Sequence, residues 1–308
     1  MVYTVTLNPA LDRTLFVDSL ALGGSNRIRR EARYAGGKGI DVSRALVEMG
    51  VPTVALGLVG GFDGKEFEGR LLNEGVACDF TRIAGEIRTN VVIHDESGAE
   101  TALLARGPEV QPVELMSFID HLEGIAGGSF LVVSGSLPPG LTPAVYRRII
   151  SVGNDRGFTT VLDASGEALR SGIRARPRII KPNRDELAEL AGTALADIPA
   201  MVRFCRTLEK EVATVLVSLG ADGILLVESK RALHARPPKV EVASTVGAGD
   251  CAVAGFVAGL LMKESPADRL RRAVAAGTAA TMTPGTGICC RRDIARLLPG
   301  ITVTEVAA

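Results

Sequence analysis

The residues best suited to chemistry lie near the carboxyl end of the chain, where residues 245–250 (TVGAGD) precede an apolar run of helical character at residues 251–262. Glycines at a helix start let backbone N–H groups approach a phosphate closely, and the helix N-terminus favours its negative charge. Asp250 lies where those amides converge, so its carboxylate is placed to accept a proton from an attacking hydroxyl group. The same pattern also fits a glycine turn in which Asp250 only caps the helix.

Residues 247–252 (GAGDCA) also fit a dinucleotide fingerprint, with Asp268 about twenty residues further on. The position of the motif argues against this function, because such fingerprints belong in a first strand–helix turn and this one lies near the carboxyl end. Asp268 follows Pro266 at a predicted helix start, and a carboxylate beside a pyrophosphate would repel it. We therefore set the dinucleotide interpretation aside, and a phosphate site and a helix cap remain the two alternatives.

Two segments in the first forty residues could bind a polyol. Residues 36–39 (GGKG) open a predicted helix and combine a flexible turn, a helix N-terminus and a cation, although no Ser or Thr follows Lys38 as a Walker A loop requires. Asp12, in residues 6–12 (TLNPALD), follows the first predicted strand and is able to accept hydrogen bonds from sugar hydroxyls. A solvent-exposed helix start and a proline turn with a capping Asp are the structural alternatives.

Residues 181–186 (KPNRDE) join a predicted strand to a predicted helix. Asn183 and Glu186 are three residues apart and lie on one side of the helix entry, where such a pair can hold magnesium-bound waters. The same two residues also fit a capping box, and the spacing does not separate the two interpretations. Residues 134–140 and 218–223 each begin where a predicted apolar strand ends. They are either ligand-binding loops or plain glycine turns.

These candidate residues must be positioned by alternating strands and helices. Continuous apolar runs predict strands buried on both faces at residues 2–7, 53–59, 130–134, 159–163, 178–181 and 212–218. Helical periodicity is found at residues 38–49, 65–74, 112–125, 143–156, 184–191 and 198–209. The alternation predicts an α/β fold with a mostly parallel sheet between two helical layers, and the whole chain, residues 1–308, as one domain.

Strands without intervening helices break this pattern in two segments, at about residues 13–35 and 80–105. Within them we expect strands at residues 15–17, 28–34, 80–83, 90–95 and 100–104. They predict a small antiparallel sheet that projects from the main sheet as a lid. An apolar face on such a sheet needs a cover, either a substrate or a second subunit.

Composition excludes several functions. Thirty-five Lys and Arg balance thirty-five Asp and Glu, and aromatic residues make up 4%, which disfavours nucleic acid as a partner. The longest apolar stretch, residues 251–262, is too short to span a bilayer, and the first residues are typical of a strand rather than a signal peptide, so we expect a cytoplasmic protein. Five Cys without metal-site spacing and three His indicate reduced thiols and no protein-built metal cage; buried thiols are the favoured interpretation of Cys289-Cys290.

Taken together, the motifs resemble those of the ribokinase-like, PfkB-type carbohydrate kinases. TLNPALD, GGKG, RTN, SGSLPPG, KPNRDE, SLGADG and STVGAGD follow one another in order along essentially the whole chain, and the set is most similar to the branch that phosphorylates sugar phosphates. The resemblance implies a three-layer α/β/α fold with a β-lid that often pairs with the lid of another subunit, which predicts a homodimer. It also implies ATP and Mg2+ as cofactors and a small phosphosugar as substrate.

The resemblance implies a role for each matching residue. Asp250 resembles the catalytic base, and the amides of Gly247, Ala248 and Gly249 resemble the anion hole. The residues that resemble the nucleotide site are Lys181, Asn183, Glu186, Ser218, Gly220 and Gly223, of which Asn183 and Glu186 hold the metal through water. The residues that resemble the sugar-phosphate site are Asp12, Gly37, Lys38, Asp41, Arg88 and Asn90.

Asp41 departs from the family pattern, in which an Asn usually stands two residues after GGKG. A carboxylate accepts hydrogen bonds from hydroxyls but repels a phosphate, so this residue bears on which phosphosugar is used. We expect fructose 1-phosphate to be converted to fructose 1,6-bisphosphate; a 6-phosphofructokinase or a tagatose-6-phosphate kinase is the alternative. A kinase of an unphosphorylated sugar and a non-catalytic sugar- or nucleotide-binding protein on the same fold are the further alternatives.

Overall fold

The computed structural model describes residues 1–228, 231–285 and 287–306 of the chain. Two sheets contain all the strands in the described residues. In chain order the strands are β1 (Val2–Thr6), β2 (Ala10–Phe16), β3 (Arg30–Gly36), β4 (Thr53–Val59), β5 (Ala77–Cys78), β6 (Thr81–Arg82), β7 (Arg88–His94), β8 (Glu100–Leu103), β9 (Phe130–Ser134), β10 (Thr159–Asp163), β11 (Ile179–Ile180), β12 (Thr214–Ser218), β13 (Ile224–Glu228), β14 (Arg231–Arg236) and β15 (Thr302–Glu305).

The larger sheet has the strand order β15-β14-β13-β12-β11-β10-β9-β1-β4-β5, with β6 also paired to β4. The strands from β12 through β4 run parallel, and β13, β14 and β15 add an antiparallel edge. This confirms the predicted mostly parallel sheet. Because parallel strands end at the same edge, Thr6, Ser134, Asp163 and Ser218 lie along one side of the molecule.

Helices cover both faces of this sheet, as predicted. In chain order they are α1 (Lys38–Glu48), α2 (Gly61–Asn73), α3 (Pro112–Gly124), α4 (Ala144–Asp155), α5 (Gly166–Ile173), α6 (Arg184–Ala191), α7 (Ile198–Thr207), α8 (Ala248–Leu261), α9 (Pro266–Thr281) and α10 (Arg291–Leu297). Alternate strand residues separate the two cores: Val5 and Leu131 pack with α3 to α7, whereas Val2 and Val132 pack with α1, α8, α9 and α10.

The smaller sheet has the order β3-β2-β7-β8 and lies where the lid was predicted. The prediction of an antiparallel sheet was wrong: β2–β3 and β7–β8 are antiparallel, but the central pair β2–β7 is parallel, because the two segments enter the lid in the same direction. One strand expectation was wrong: residues 81–82 do not join this sheet but pair with Leu58 and Val59 of β4. Phe80 and Ile83 are buried beside that pair, which explains their apolar character without a place in the lid. Strand β2 begins earlier than expected, at Ala10, so Asp12 lies inside a strand rather than at a turn.

Helix α8 is the most deeply buried helix described, because its residues from Asp250 to Gly259 are all buried. It packs closely on α9 through glycines: a Cβ at Gly255 would lie 2.7 Å from the carbonyl oxygen of Arg272. The helix is therefore fixed firmly, and so is the Asp250 carboxylate in its first turn.

Among the described residues, no helix combines the length and the apolar character needed to cross a membrane.

Candidate active site

Asp250 lies in the first turn of α8, at the sheet edge where the parallel strands end. Gly247 precedes the helix in the left-handed conformation, with φ of 73°, which favours glycine at this position. Gly247 has no side chain to cap the helix, so the N–H groups of Ala248 and Gly249 keep their capacity to bind an anion. The geometry thus places a carboxylate and a cluster of helix-start amides at one point, as the sequence predicted.

Asp250 is almost completely buried, with 6% of its surface exposed. Burial raises the pKa of its carboxyl group well above the usual range, and the negative charges of Asp163 and Asp41 raise it further. Lys38 and Lys181 act in the opposite direction. A carboxylate with a raised pKa is a stronger base, which suits a group that must take a proton from a hydroxyl.

Two lysines converge on Asp163, at the end of β10. The Nζ atom of Lys181 lies 3.3 Å from Asp163 Oδ1, and the Nζ atom of Lys38 lies 3.7 Å from the same oxygen. Asp163 is fully buried, and its carboxylate raises the pKa of Lys38. The absence of a side chain at Gly249 gives Lys181 its room, because a Cβ there would lie 3.3 Å from Lys181 Nζ. Both cations therefore lie close to the start of α8.

Asp163 is a site residue that the sequence reasoning missed. Its signal was a carboxylate at the carboxyl end of a predicted parallel strand, in residues 161–166 (VLDASG). Neither of its carboxylate oxygens has a hydrogen-bond partner among the described residues, where its ion-pair partners are the ammonium groups of Lys38 and Lys181. A buried carboxylate between two cations in turn attracts both of them and helps to fix their positions.

Asn183 and Glu186 form the capping box of α6, one of the two interpretations that the spacing left open. Asn183 Oδ1 accepts from the Glu186 N–H at 2.8 Å, and Glu186 Oε2 accepts from the Asn183 N–H at 2.8 Å. These bonds use one side-chain oxygen of each residue. The other carboxylate oxygen of Glu186, Oε1, takes no part in the box, and Glu186 is close enough to the site to raise the pKa of Lys38. A capping role and a role toward a hydrated cation are therefore compatible.

Ser218, Gly220 and Gly223 lie beside this helix start. Ser218 forms an isolated parallel bridge with Asn183, and its N–H donates to the carbonyl of Pro182 at 3.0 Å. Gly220 and Gly223 have φ of 62° and 91° in the turn between β12 and β13. A side chain at Gly223 would collide with the carbonyl of Ala235. The two glycines thus have a clear role in the turn, and Ser218 directly adjoins Asn183.

The predicted sugar-phosphate residues meet where the lid joins the main sheet. Asp12 on β2 pairs in register with Asn90 on β7, and Asn90 Nδ2 donates to Asp12 Oδ1 at 2.8 Å. Arg88, two residues earlier on β7, contributes a positive charge that lowers the pKa of Asp12, against the larger raising effect of burial. Its Nη1 donates to the carbonyl of Ala105 at 3.1 Å, and its Nε is buried with no partner among the described residues.

The start of α1 completes this region. Gly37 has φ of 127°, and a Cβ there would lie 2.9 Å from Thr6 Cγ2, so glycine is needed for both reasons. A side chain at Gly36 would collide with the Asp12 carboxylate. Asp41, one turn into α1, is buried and accepts from Arg44 Nη1 at 3.0 Å. The structure therefore brings all six predicted sugar-phosphate residues to one end of α1 and the adjoining lid strands.

Asn8, in residues 6–12 (TLNPALD), is a second residue near the site whose role was not predicted from the sequence. Its Nδ2 donates to the carbonyl of Arg106 at 3.1 Å and to Ser136 Oγ at 3.3 Å. Asn90 Oδ1 accepts from the Ala105 N–H at 3.1 Å. These bonds fix residues 105 and 106, which follow β8, to Asn90 in the lid and to Asn8 before β2.

Helix α8 does not have the context of a dinucleotide fingerprint, because eleven residues separate the end of β14 from its first residue. The prediction of buried thiols at Cys289 and Cys290 holds for Cys289, whereas Cys290 is only partly buried. The Cys289 N–H donates to Sγ of the buried Cys251 at 3.3 Å. The described residues also contain no cluster of three or more His, Cys, Asp or Glu that could form a metal cage.

The chain is similar to known proteins over nearly its whole length. The profile of the pfkB family carbohydrate kinases matches residues 6–293. The 1-phosphofructokinase of Bacillus subtilis (strain 168) is 34% identical and covers 99% of this chain and 100% of its own, and that of Escherichia coli (strain K12) is 35% identical over 96% of both chains. The phosphofructokinase-2 of Escherichia coli, solved with fructose-6-phosphate, superposes with a TM-score of 0.90 at 29% identity, covering 97% of this chain and 98% of its own.

Proposed function

The chain belongs to the pfkB family of carbohydrate kinases, and we propose that it transfers the γ-phosphoryl group of ATP to a hydroxyl of fructose 1-phosphate, giving fructose 1,6-bisphosphate. It is thus a phosphotransferase with an alcohol group as acceptor. The observation that carries the mechanism is the position of Asp250, a buried carboxylate among the helix-start amides of α8.

In this mechanism Asp250 accepts the proton of the attacking hydroxyl as that oxygen bonds to the γ-phosphorus. The amides of Gly247, Ala248 and Gly249 stabilise the equatorial oxygens of the transferred group. Lys181 and Lys38 offset the negative charge that develops as the bond to ADP breaks. Asp163 positions both ammonium groups, so that they do not need to reorganise during the transfer.

The nucleotide side of the proposal consists of Lys181, Asn183, Glu186, Ser218, Gly220 and Gly223. Mg2+ belongs to the same proposal, and the residues fit a cation held through water. The Oε1 atom of Glu186 takes no part in the capping box. Among the described residues, no cluster of three or more His, Cys, Asp or Glu would bind the ion directly instead. When bound, Mg2+ would neutralise part of the negative charge of the nucleotide phosphates. Asn183 and Glu186 would orient the hydrated ion.

On the sugar side, we assign the hydroxyls to Asp12 and Asn90 and the substrate phosphate to Arg88, with Gly37, Lys38 and Asp41 lining the start of α1. Asp12 and Asn90 are already hydrogen-bonded to each other, so a sugar binds to an ordered pair. The unpaired Nε of Arg88 supplies a donor for a phosphate oxygen. A free sugar would leave that buried donor unsatisfied, which favours a phosphosugar over its unphosphorylated counterpart.

Fructose 6-phosphate is the second candidate substrate, because the phosphofructokinase-2 that superposes so closely was solved with that sugar. The test is ATP-dependent ADP release in the presence of Mg2+ with fructose 1-phosphate, fructose 6-phosphate, tagatose 6-phosphate, fructose and ribose. We expect fructose 1-phosphate to give the highest kcat/KM. A free sugar as the best substrate would refute the phosphate role of Arg88, and binding of ATP without turnover of any sugar would favour a non-catalytic binding protein.

We also propose that the active form is a homodimer joined through the lid. Ile28, Leu103 and Leu104 are exposed large apolar residues on or beside the lid strands, and β8 is exposed along its length. Covering them with a second lid removes that apolar surface from water. Light scattering coupled to gel filtration tests the proposal, and a monomer at assay concentration would contradict it.

A further inference from the structure

Residues 104–111 connect the last lid strand, β8, to α3 without forming a helix or a strand. Leu104, Ala105 and Arg106 are exposed, so little apolar packing holds this connection in place. A segment with few buried contacts opens locally at low cost unless hydrogen bonds fix it. The position of residues 104–106 therefore depends on their hydrogen bonds.

This connection is bonded to both lid residues that we assign to the substrate. The Ala105 N–H donates to Asn90 Oδ1 at 3.1 Å, and the Ala105 carbonyl accepts from Arg88 Nη1 at 3.1 Å. The two backbone groups of Ala105 thus orient the amide assigned to the sugar hydroxyls and the guanidinium assigned to the substrate phosphate. A displacement of Ala105 would disturb both side chains.

Asn8 fixes the next residue of the connection to the main body of the protein. Its Nδ2 donates to the Arg106 carbonyl at 3.1 Å and to Ser136 Oγ, in the loop after β9, at 3.3 Å. The side chain is buried, and its Oδ1 has no hydrogen-bond partner among the described residues. A side chain at Gly107 would collide with this Oδ1, so the Asn8 amide lies against residue 107 as well as residue 106.

We propose that Asn8 is a positioning residue for the sugar phosphate, which holds residues 105–107 so that Arg88 and Asn90 are already in their binding positions. This inference rests on the proposed function, because it concerns the same sugar site. Asn8 then acts on the substrate only through other residues. Donors that are ordered in advance lose less conformational freedom when the substrate binds, so Asn8 contributes to affinity rather than to the chemical step.

The first experiment compares Asn8→Ala with the wild type in steady-state ADP release. Loss of the two Nδ2 hydrogen bonds should raise KM for fructose 1-phosphate about fivefold, because Arg88 and Asn90 are no longer held in advance. Both kcat and the KM for ATP should stay within about twofold of the wild-type values. An unchanged KM for the sugar phosphate overturns the proposal.

Asn154→Ala is the matched control. Asn154 Nδ2 also donates to two acceptors, the carbonyls of Ala175 and Arg176, at 2.7 and 3.3 Å. Asn154 Oδ1 accepts from Thr160 near the start of β10, at the opposite end of that strand from Asp163. We expect this variant to keep the wild-type kinetic constants. An equal rise in KM in the control would show a general loss of structure and contradict a specific role of Asn8.

A double-mutant cycle with Arg88→Ala tests whether Asn8 acts through Arg88. When the Arg88 side chain is already absent, Asn8→Ala should raise KM by only about twofold, because part of what Asn8 positions is gone. The full fivefold effect in both backgrounds would show that the two residues act independently, which contradicts the proposal.

Hydrogen–deuterium exchange followed by NMR gives a readout that needs no substrate. The Ala105 amide should exchange at least about fivefold faster in Asn8→Ala than in the wild type or in Asn154→Ala. Unchanged exchange overturns the proposal. If Asn8→Ala does not fold, Asn8→Ser takes its place in the same measurements, because its hydroxyl is too short to reach both acceptors. The proposed function fails separately: absence of ADP release with fructose 1-phosphate refutes that substrate, and exchange at Ala105 still decides whether Asn8 holds the connection.

Discussion

Replacing Asp250 with Asn tests both its role as the general base and the effect of its burial among like charges. The substitution keeps the size of the side chain and removes its ability to take a proton. General-base catalysis contributes about 10²- to 10⁴-fold, so kcat for the phosphosugar should fall by at least about a hundredfold. The measurement is steady-state ADP release at saturating ATP, fructose 1-phosphate and Mg2+.

The same substitution should stabilise the fold, because Asp250 is buried among like charges. Its pKa is raised in the folded state, so its ionised form destabilises the protein increasingly as the pH rises through the unfolded and then the folded pKa. Each unit by which folding raises this pKa corresponds to about 1.4 kcal/mol at high pH. Asp250→Asn should therefore unfold at a higher temperature than wild type at pH 8, with a smaller difference at pH 5.

Asp268→Asn is a matched control, since Asp268 also lies in the first turn of a helix but is exposed and far from the site. Its pKa is lowered by the hydrogen bond from Ser265 and by Arg271, so its charge stabilises the fold. We expect this variant to keep wild-type kcat and to unfold at a slightly lower temperature. Wild-type turnover in Asp250→Asn, or a loss of stability equal to that of the control, would refute the reasoning.

Three further substitutions test separate parts of the site. Arg88→Ala should raise KM for fructose 1-phosphate at least about tenfold with a smaller change in kcat, and an unchanged KM would remove Arg88 from the phosphate site. Asp163→Asn should lower kcat by about tenfold or more, because Lys181 loses the charge that positions it; a variant with normal kcat would show that Asp163 is only structural. Gly36→Ala should raise KM by displacing the carboxylate of Asp12, and unchanged sugar binding would contradict the role of Asp12.

The sequence allowed the fold class to be predicted because the signals are local. Buried parallel strands appear as continuous apolar runs, and β4, β9 and β10 begin and end where those runs do. Residues 80–83 were misplaced because a short β-rich segment contains no information about its partner. In the structure, residues 81–82 pair with β4 of the main sheet, and of this part of the chain β7 and β8 belong to the lid.

The motifs also marked most of the candidate site, since glycines at helix starts constrain the backbone in recognisable ways. Gly37 and Gly247 have φ values that other residues rarely adopt, so glycine-containing motifs in the sequence mark these two turns. The pair Asn183 and Glu186 could not be resolved, because a capping box and a water-held cation need the same residues at the same spacing. The structure shows that the box uses Oε2 of Glu186 and that Oε1 takes no part in it.

Asp163 shows why the rest of the site could not be predicted from the sequence. Its charge partners Lys181 and Lys38 are distant in sequence, one at the end of the neighbouring strand β11 and one at the start of α1. Their meeting depends on the strand order β11-β10-β9-β1, which no local pattern specifies. The role of a carboxylate between two lysines can be recognised only once that strand order is known. The same residue on an edge strand would be exposed to solvent and would not position either lysine. The residues that act on ligands leave motifs in the sequence, whereas those that position them are visible only in the fold.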